Sequence, residues 1–152
     1  MDFAELEARI TRIEDVEAIK KLKARYCEIC DDMHNPDRIN SLFAEDGIWE
    51  SPEFGKAEGH AAIRELFAGF KAMFSFSQHN ISNPIIDVDG DRATAIWYIA
   101  GPWTKTEDGK AIWMQARYDD DYVKTNGEWQ YQHLRVKVRM VADRQTVSEL
   151  SG

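Results

Sequence analysis

Residues 25 to 34 read RYCEICDDMH, and they put two thiols, three carboxylates, a phenol and an imidazole within ten positions. Cys27, Cys30 and His34 stand at i, i+3 and i+7, which a continuous helix places on one face, as a three-ligand metal site requires. No fourth ligand follows nearby. Structural zinc sites carry a second ligand pair, and a redox C-x-x-C opens a helix after a strand, whereas this pair lies near a helix's end. Packing is therefore the favoured role for both cysteines. Two cysteines three apart cannot staple a fold, so reduced thiols and no metal are expected.

The other histidines are judged by their settings. His34 and His60 fall at turn or cap positions, where a solvated ring is expected, while His79 and His133 fall in apparent strands and can point inward. No H-x-H, H-x-D or H-E-x-x-H spacing links them. G-x-S-x-G, Walker A and dinucleotide fingerprints are also missing from the sequence, so a cofactor-free pocket is the remaining place for chemistry. Arg135, Lys137 and Arg139 alternate onto one strand face, solvated in the simplest reading, with an anion-contacting arginine as the sharper one. Asp119, Asp120 and Asp121 read as a charged strand edge with no chemistry.

These residues depend on elements whose periods are plain. Leu6, Ile10, Ile13, Val16, Ile19, Leu22, Tyr26, Ile29 and Met33 recur at threes and fours, predicting helix from about residue 3 to 32. A capping box at Thr11 and Glu14 predicts a bend within it, and Asn35-Pro36 ends it. A brief helix from Pro36 to Phe43, a short strand GIWES and a loop PEFGKAEG follow. Ile63, Leu66, Phe67, Phe70, Met73 and Phe74 restore helical spacing over 61–74. Residues 76–142 read as strands divided at VDGDR, TEDGK and TNGEW, an antiparallel meander. In two of those strands Trp97, Ile99, Met114, Ala116 and Tyr118 alternate onto one face, enough to line a cavity as well as a core. Helices first and long strands afterwards predict an α+β fold, with the helices packed on one face of a strongly curved sheet.

Composition narrows the partners. With 152 residues, 43% hydrophobic, the chain suits one domain over 1–152. The net charge of −8 and dispersed basic residues argue against nucleic acid. The start MDFAELEARI lacks a signal-length apolar run, and no run approaches a membrane span, so a soluble cytoplasmic protein is expected.

The order of elements and these residues together resemble the SnoaL-like branch of the cone-shaped α+β fold named for nuclear transport factor 2, whose members include scytalone dehydratase, bile acid 7α-dehydratase and lindane dehydrochlorinase. DVEAIKKLKARYCEICDD is similar to the family's long first helix, FAEDGIWES to its first strand, GHAAIREL to the helix closing the cone, and NGEWQYQHLRV to its last hairpin. The resemblance implies a general-base dyad, with Asp31 orienting His79. It also implies a tyrosine at Tyr26 to bond an oxygen of the substrate, and an arginine at Arg135 to stabilise negative charge. Five residues along a helix rotate about 140°, so the convergence of Tyr26 and Asp31 rests on the resemblance and not on periodicity. The implied activity is that of a cofactor-independent lyase, a dehydratase, on a hydrophobic cyclic substrate. Phe43, Trp49 and Phe54 would line the pocket with Trp97, Ile99, Met114, Ala116 and Tyr118. An isomerase or aldol cyclase using the same base, or a non-catalytic binding module, are the alternatives. A homodimer or higher homo-oligomer is expected.

Overall fold

No glycine or proline interrupts residues 3–31, and in the computed structural model helix α1 (Phe3–Asp31) runs through them unbroken. The structure describes residues 1–143. The bend expected at Thr11 does not occur. The N-cap is Asp2, whose carboxylate accepts the backbone N–H of Glu5 at 2.7 Å, and an interior threonine costs a helix only tenths of a kcal/mol. Leu6, Ile10 and Ile13 are exposed, and burial begins at Asp15 and Ile19. The stripe thus meets the sheet only in its second half.

The expected brief helix is shorter, a 3-10 turn over Ile39–Leu42, because Phe43 already opens strand β1 (Phe43–Ser51). The stretch expected as a loop after it contains strand β2 (Gly55–Glu58), which pairs back on β1. Helix α2 (Gly59–Met73) follows and buries Ile63, Phe67 and Phe70. The remaining strands are β3 (Phe74–Ser77), β4 (Asn80–Asp89), β5 (Arg92–Lys105), β6 (Ala111–Thr125) and β7 (Glu128–Asp143).

The strands make one strongly curled sheet in the order β2-β1-β7-β6-β5-β3, with β4 also on β5, and the helices pack on it as an α+β fold. The meander β4 to β7 is antiparallel as expected, but β1 joins β7 in parallel, so the sheet is mixed. Asp119 to Asp121 therefore lie on a central strand and not on an edge. Alternation turns Asp120 inward, where it is buried and accepts from Lys23 Nζ at 2.8 Å. Asp119 and Asp121 turn outward and pair with Arg117 and Arg135.

Strands β3 and β4 share one edge of β5, and residues 78–79 link them. That link crosses β5 at Gly101, where a Cβ would stand 1.8 Å from the Gln78 carbonyl oxygen. Glycine is what allows the link to lie this close. No helix among the described residues is long and apolar enough to cross a membrane.

Candidate active site

Asp31 is the last residue of α1, and its carboxylate meets the link between β3 and β4. Oδ1 lies 2.6 Å from His79 Nδ1, while Oδ1 and Oδ2 accept the His79 backbone N–H at 3.0 and 3.1 Å. The Ser77 hydroxyl donates to the Cys30 carbonyl at 3.2 Å and reaches Asp31 Oδ1 at 3.4 Å. An ionised carboxylate only accepts, so it fixes the imidazole proton on Nδ1 and leaves Nε2 as the free base. His79 lies in the two-residue link rather than in a strand, and its side chain is largely buried, with Trp103 edge-on at 4.9 Å.

The imidazole forms part of the wall of a narrow cavity of about 50 Å³, lined by residues from both helices and from most strands. Tyr26, Trp49, Phe54, Ile99, Met114, Ala116 and Tyr118 are all in that lining, as expected. Tyr26 accepts the Trp49 indole N–H at 2.9 Å, and its hydroxyl lies within hydrogen-bond reach of the Cys30 side chain. Burial pushes the Tyr26 phenol well above its usual range, so it stays protonated.

Three expected site residues are not brought to the cavity. Phe43 is fully buried and stacks on Tyr131 at 5.1 Å, with its carbonyl accepting from His60 Nε2 at 2.8 Å. That bond also makes His60 a half-buried strut and not a solvated ring. Trp97 lies deeper in the core and donates to Tyr122 Oη at 3.1 Å. Arg135 alternates outward between Leu134 and Val136, 41% exposed, and donates to Asp121 at 2.8 Å. Its solvated reading is the one the register gives.

His34, expected in solvent, is only 6% exposed and lies among Phe67, Phe70 and Phe74, with its ring 5.7 Å from that of His79. Two successive left-handed residues, Met33 at φ 54° and His34 at φ 48°, fold it back against the cavity after α1 ends. Burial lowers its pKa to about 3, so the ring is neutral. Sequence reasoning also missed Phe70, Phe74, Trp103, Val136 and Val138 in the lining. The apolar face of α2 already held the signal for the two phenylalanines. Both cysteines are buried and unbridged, and desolvation pushes Cys27 up to about 11 and Cys30 well above its usual value. One group of metal-type donors does form among the described residues: Cys30, His34 and His79 offer a sulfur and two nitrogens within 4.8 Å of one another. His79, not Cys27, completes the set.

A family model described as the SnoaL-like domain matches residues 11–135. A solved Novosphingobium aromaticivorans structure, described as a candidate aromatic ring hydroxylase, is 26% identical with a TM-score of 0.80, over 87% of this chain and 94% of that one. Another from that bacterium, described as a candidate scytalone dehydratase, is 25% identical with a TM-score of 0.80, over 90% and 92%. The hexachlorocyclohexane dehydrochlorinase of Novosphingobium barchaimii superposes with a TM-score of 0.84 over 95% and 99%, but at 17% identity this is a likeness of fold alone. Curated proteins give no match.

Proposed function

This chain belongs to the SnoaL-like domain family, and on that premise we propose that it is a cofactor-independent carbon–oxygen lyase that dehydrates a hydrophobic cyclic compound. The observation carrying the reading is the 2.6 Å contact between His79 Nδ1 and Asp31 at the wall of an apolar cavity. The similar structure described as a candidate scytalone dehydratase supports the reaction class.

In this reading His79 Nε2 takes a proton from carbon, and Asp31 stabilises the imidazolium that forms. The C–H electron pair becomes the new C=C bond as the neighbouring C–O bond breaks. Tyr26 donates its hydroxyl proton to the leaving oxygen, which departs as water, and the proton held by His79 then restores the tyrosine. Elimination is favoured over isomerisation or aldol cyclisation because the cavity holds this protonated phenol, with its oxygen oriented by the Trp49 N–H. Arg135 has no part, since its guanidinium is paired outside.

The test is to screen neutral hydroxylated ring compounds for turnover and then compare His79→Gln and Asp31→Asn with the wild type. Both substitutions should lower kcat by about 10²–10⁴-fold, the usual contribution of a general base, and leave ligand Kd within about threefold. Unchanged turnover in both variants would remove the dyad from the mechanism. Ring compounds that bind to the wild type without turnover would make this a binding module.

A further inference from the structure

Two donors on the cavity wall, His34 and His79, stand beside a third, Cys30, that is buried behind it, and elimination does not use the three as a set. Cys30 Sγ and one nitrogen each of His34 and His79 lie within 4.8 Å of one another, and the side chains of all three are nine-tenths or more buried. Among the described residues no side-chain hydrogen bond reaches the His34 ring, which lines the cavity among Phe67, Phe70 and Phe74. It reaches this place through two consecutive left-handed residues, each costing on the order of 1–3 kcal/mol for a side chain with a Cβ. The same turn ends α1, with the His34 and Asn35 N–H groups donating to the Cys30 and Ile29 carbonyls, and it leaves the neutral ring facing the cavity beside His79.

One thiolate and two imidazoles suit a borderline cation such as Zn²⁺, for which Zn–S is about 2.3 Å and Zn–N about 2.0–2.1 Å. Tetrahedral donors would then stand about 3.3–3.7 Å apart, within a side-chain rotation of the present arrangement. Asp31 already holds His79 Nδ1 at 2.6 Å, the outer-shell carboxylate that orients a ligating histidine and raises its basicity. The nitrogen left to bind is Nε2.

We propose that Cys30, His34 and His79 bind one Zn²⁺-like cation, with its fourth position open to the cavity, and that the bound ion inhibits the enzyme by occupying His79 Nε2. On binding, the Cys30 thiol gives up its proton to solvent, and sulfur and both nitrogens supply electron pairs to the metal. The inhibition rests on the dyad reading above, whereas the binding does not.

Chelator-treated full-length protein is titrated with Co²⁺ by absorption and with Zn²⁺ by calorimetry. One equivalent is expected, with tetrahedral visible bands and a thiolate-to-cobalt charge-transfer band. That band should vanish in Cys30→Ala and in Cys30→Ser, with circular dichroism confirming the fold. Affinity should fall at least tenfold in His34→Gln and about 10–100-fold in Asp31→Asn. No saturable equivalent in the wild type, or the same charge-transfer band in both Cys30 variants, overturns the site. Full turnover in zinc-saturated enzyme overturns the inhibition. A cobalt spectrum in protein with no lyase activity leaves the metal site standing and removes the functional reading, and dyad-dependent turnover without a cobalt spectrum does the reverse.

Discussion

At the scale of single residues, the inward-facing charges and His34 are where the sequence was least transparent. Lys23 is fully buried, donates to Asp120 at 2.8 Å and sits 3.3 Å from the centre of the Tyr118 ring, while Tyr122 also donates to Asp120 at 2.8 Å. Lys23→Met would leave a buried carboxylate without its cation, a change that costs about 3–5 kcal/mol. Denaturant unfolding should register that loss, and Lys23→Met with Asp120→Leu should recover most of it; a double variant as unstable as the single one would dismiss the pair as the cause. Cys27 offers a pH test. Its thiol is held up to about 11 by burial, whereas an unfolded thiol ionises near about 8.5–9. The stabilisation is complete below the unfolded value and is lost as pH rises through the folded one. Between pH 8 and 11 the wild type should lose about 2–3 kcal/mol more than Cys27→Ala, as followed by unfolding at each pH. The partner of Asp31 was legible only through the family resemblance, because 48 residues separate it from His79 and no local period links them. His34 was hidden for another reason: its burial depends on left-handed backbone at two non-glycine residues, which composition does not announce.

At the scale of elements, the helical and strand periods located α1, α2 and the meander within a few residues, and the errors fall where tertiary pairing decides. Whether GKAE is loop or strand depends on β1 lying beside it. Whether Asp120 is edge or core depends on β6 having two neighbours, β5 and β7. Arg135 was assigned by a register choice, and one residue of slip in a strand moves a side chain to the other face. The link that carries His79 shows how an element sets the site. It passes so close to β5 that Gly101→Ala would drive a Cβ into the Gln78 carbonyl oxygen. Backbone must move to relieve this, at about 1–3 kcal/mol. Because the moving segment bears His79, kcat should fall further than thermal stability predicts. A variant with lowered melting temperature and wild-type kcat would show that the link does not position the base. The first turns of α1 present the opposite case. Residues 1–14 are exposed throughout, so removing 1–12 should change unfolding free energy by less than about 1 kcal/mol, whereas cutting beyond Asp15 should cost more, since Asp15 accepts from Lys124 and Trp129.

At the scale of the whole molecule, one cavity is walled by every layer: Tyr26 from α1, Trp49 from β1, Phe70 from α2, Trp103 from β5, Tyr118 from β6 and Val136 from β7. Its volume of about 50 Å³ is well below the roughly 300–1,000 Å³ of pockets that hold drug-sized ligands. A ring substrate of the proposed kind would therefore have to displace part of the wall to enter. Most of the wall cannot yield cheaply, because interdigitated aromatic side chains in a close-packed core resist a change of volume. Phe54 differs. It lies in the short turn between β1 and β2, is only partly buried, and meets Phe70 edge-on at 5.4 Å. It is the side chain that can swing outward without parting the sheet from the helices. Phe54→Ala should therefore widen the entrance. The ratio of kcat/KM for a two-ring alcohol to that for a one-ring alcohol should rise about tenfold, equivalent to about 1.4 kcal/mol in transition-state free energy. Catalytic chemistry on the smaller compound should persist, because the dyad lies on a different segment of the wall. An unchanged ratio would mean that the substrate enters elsewhere, and Phe74→Ala, on the side of the cavity next to His34, would then be the variant to measure.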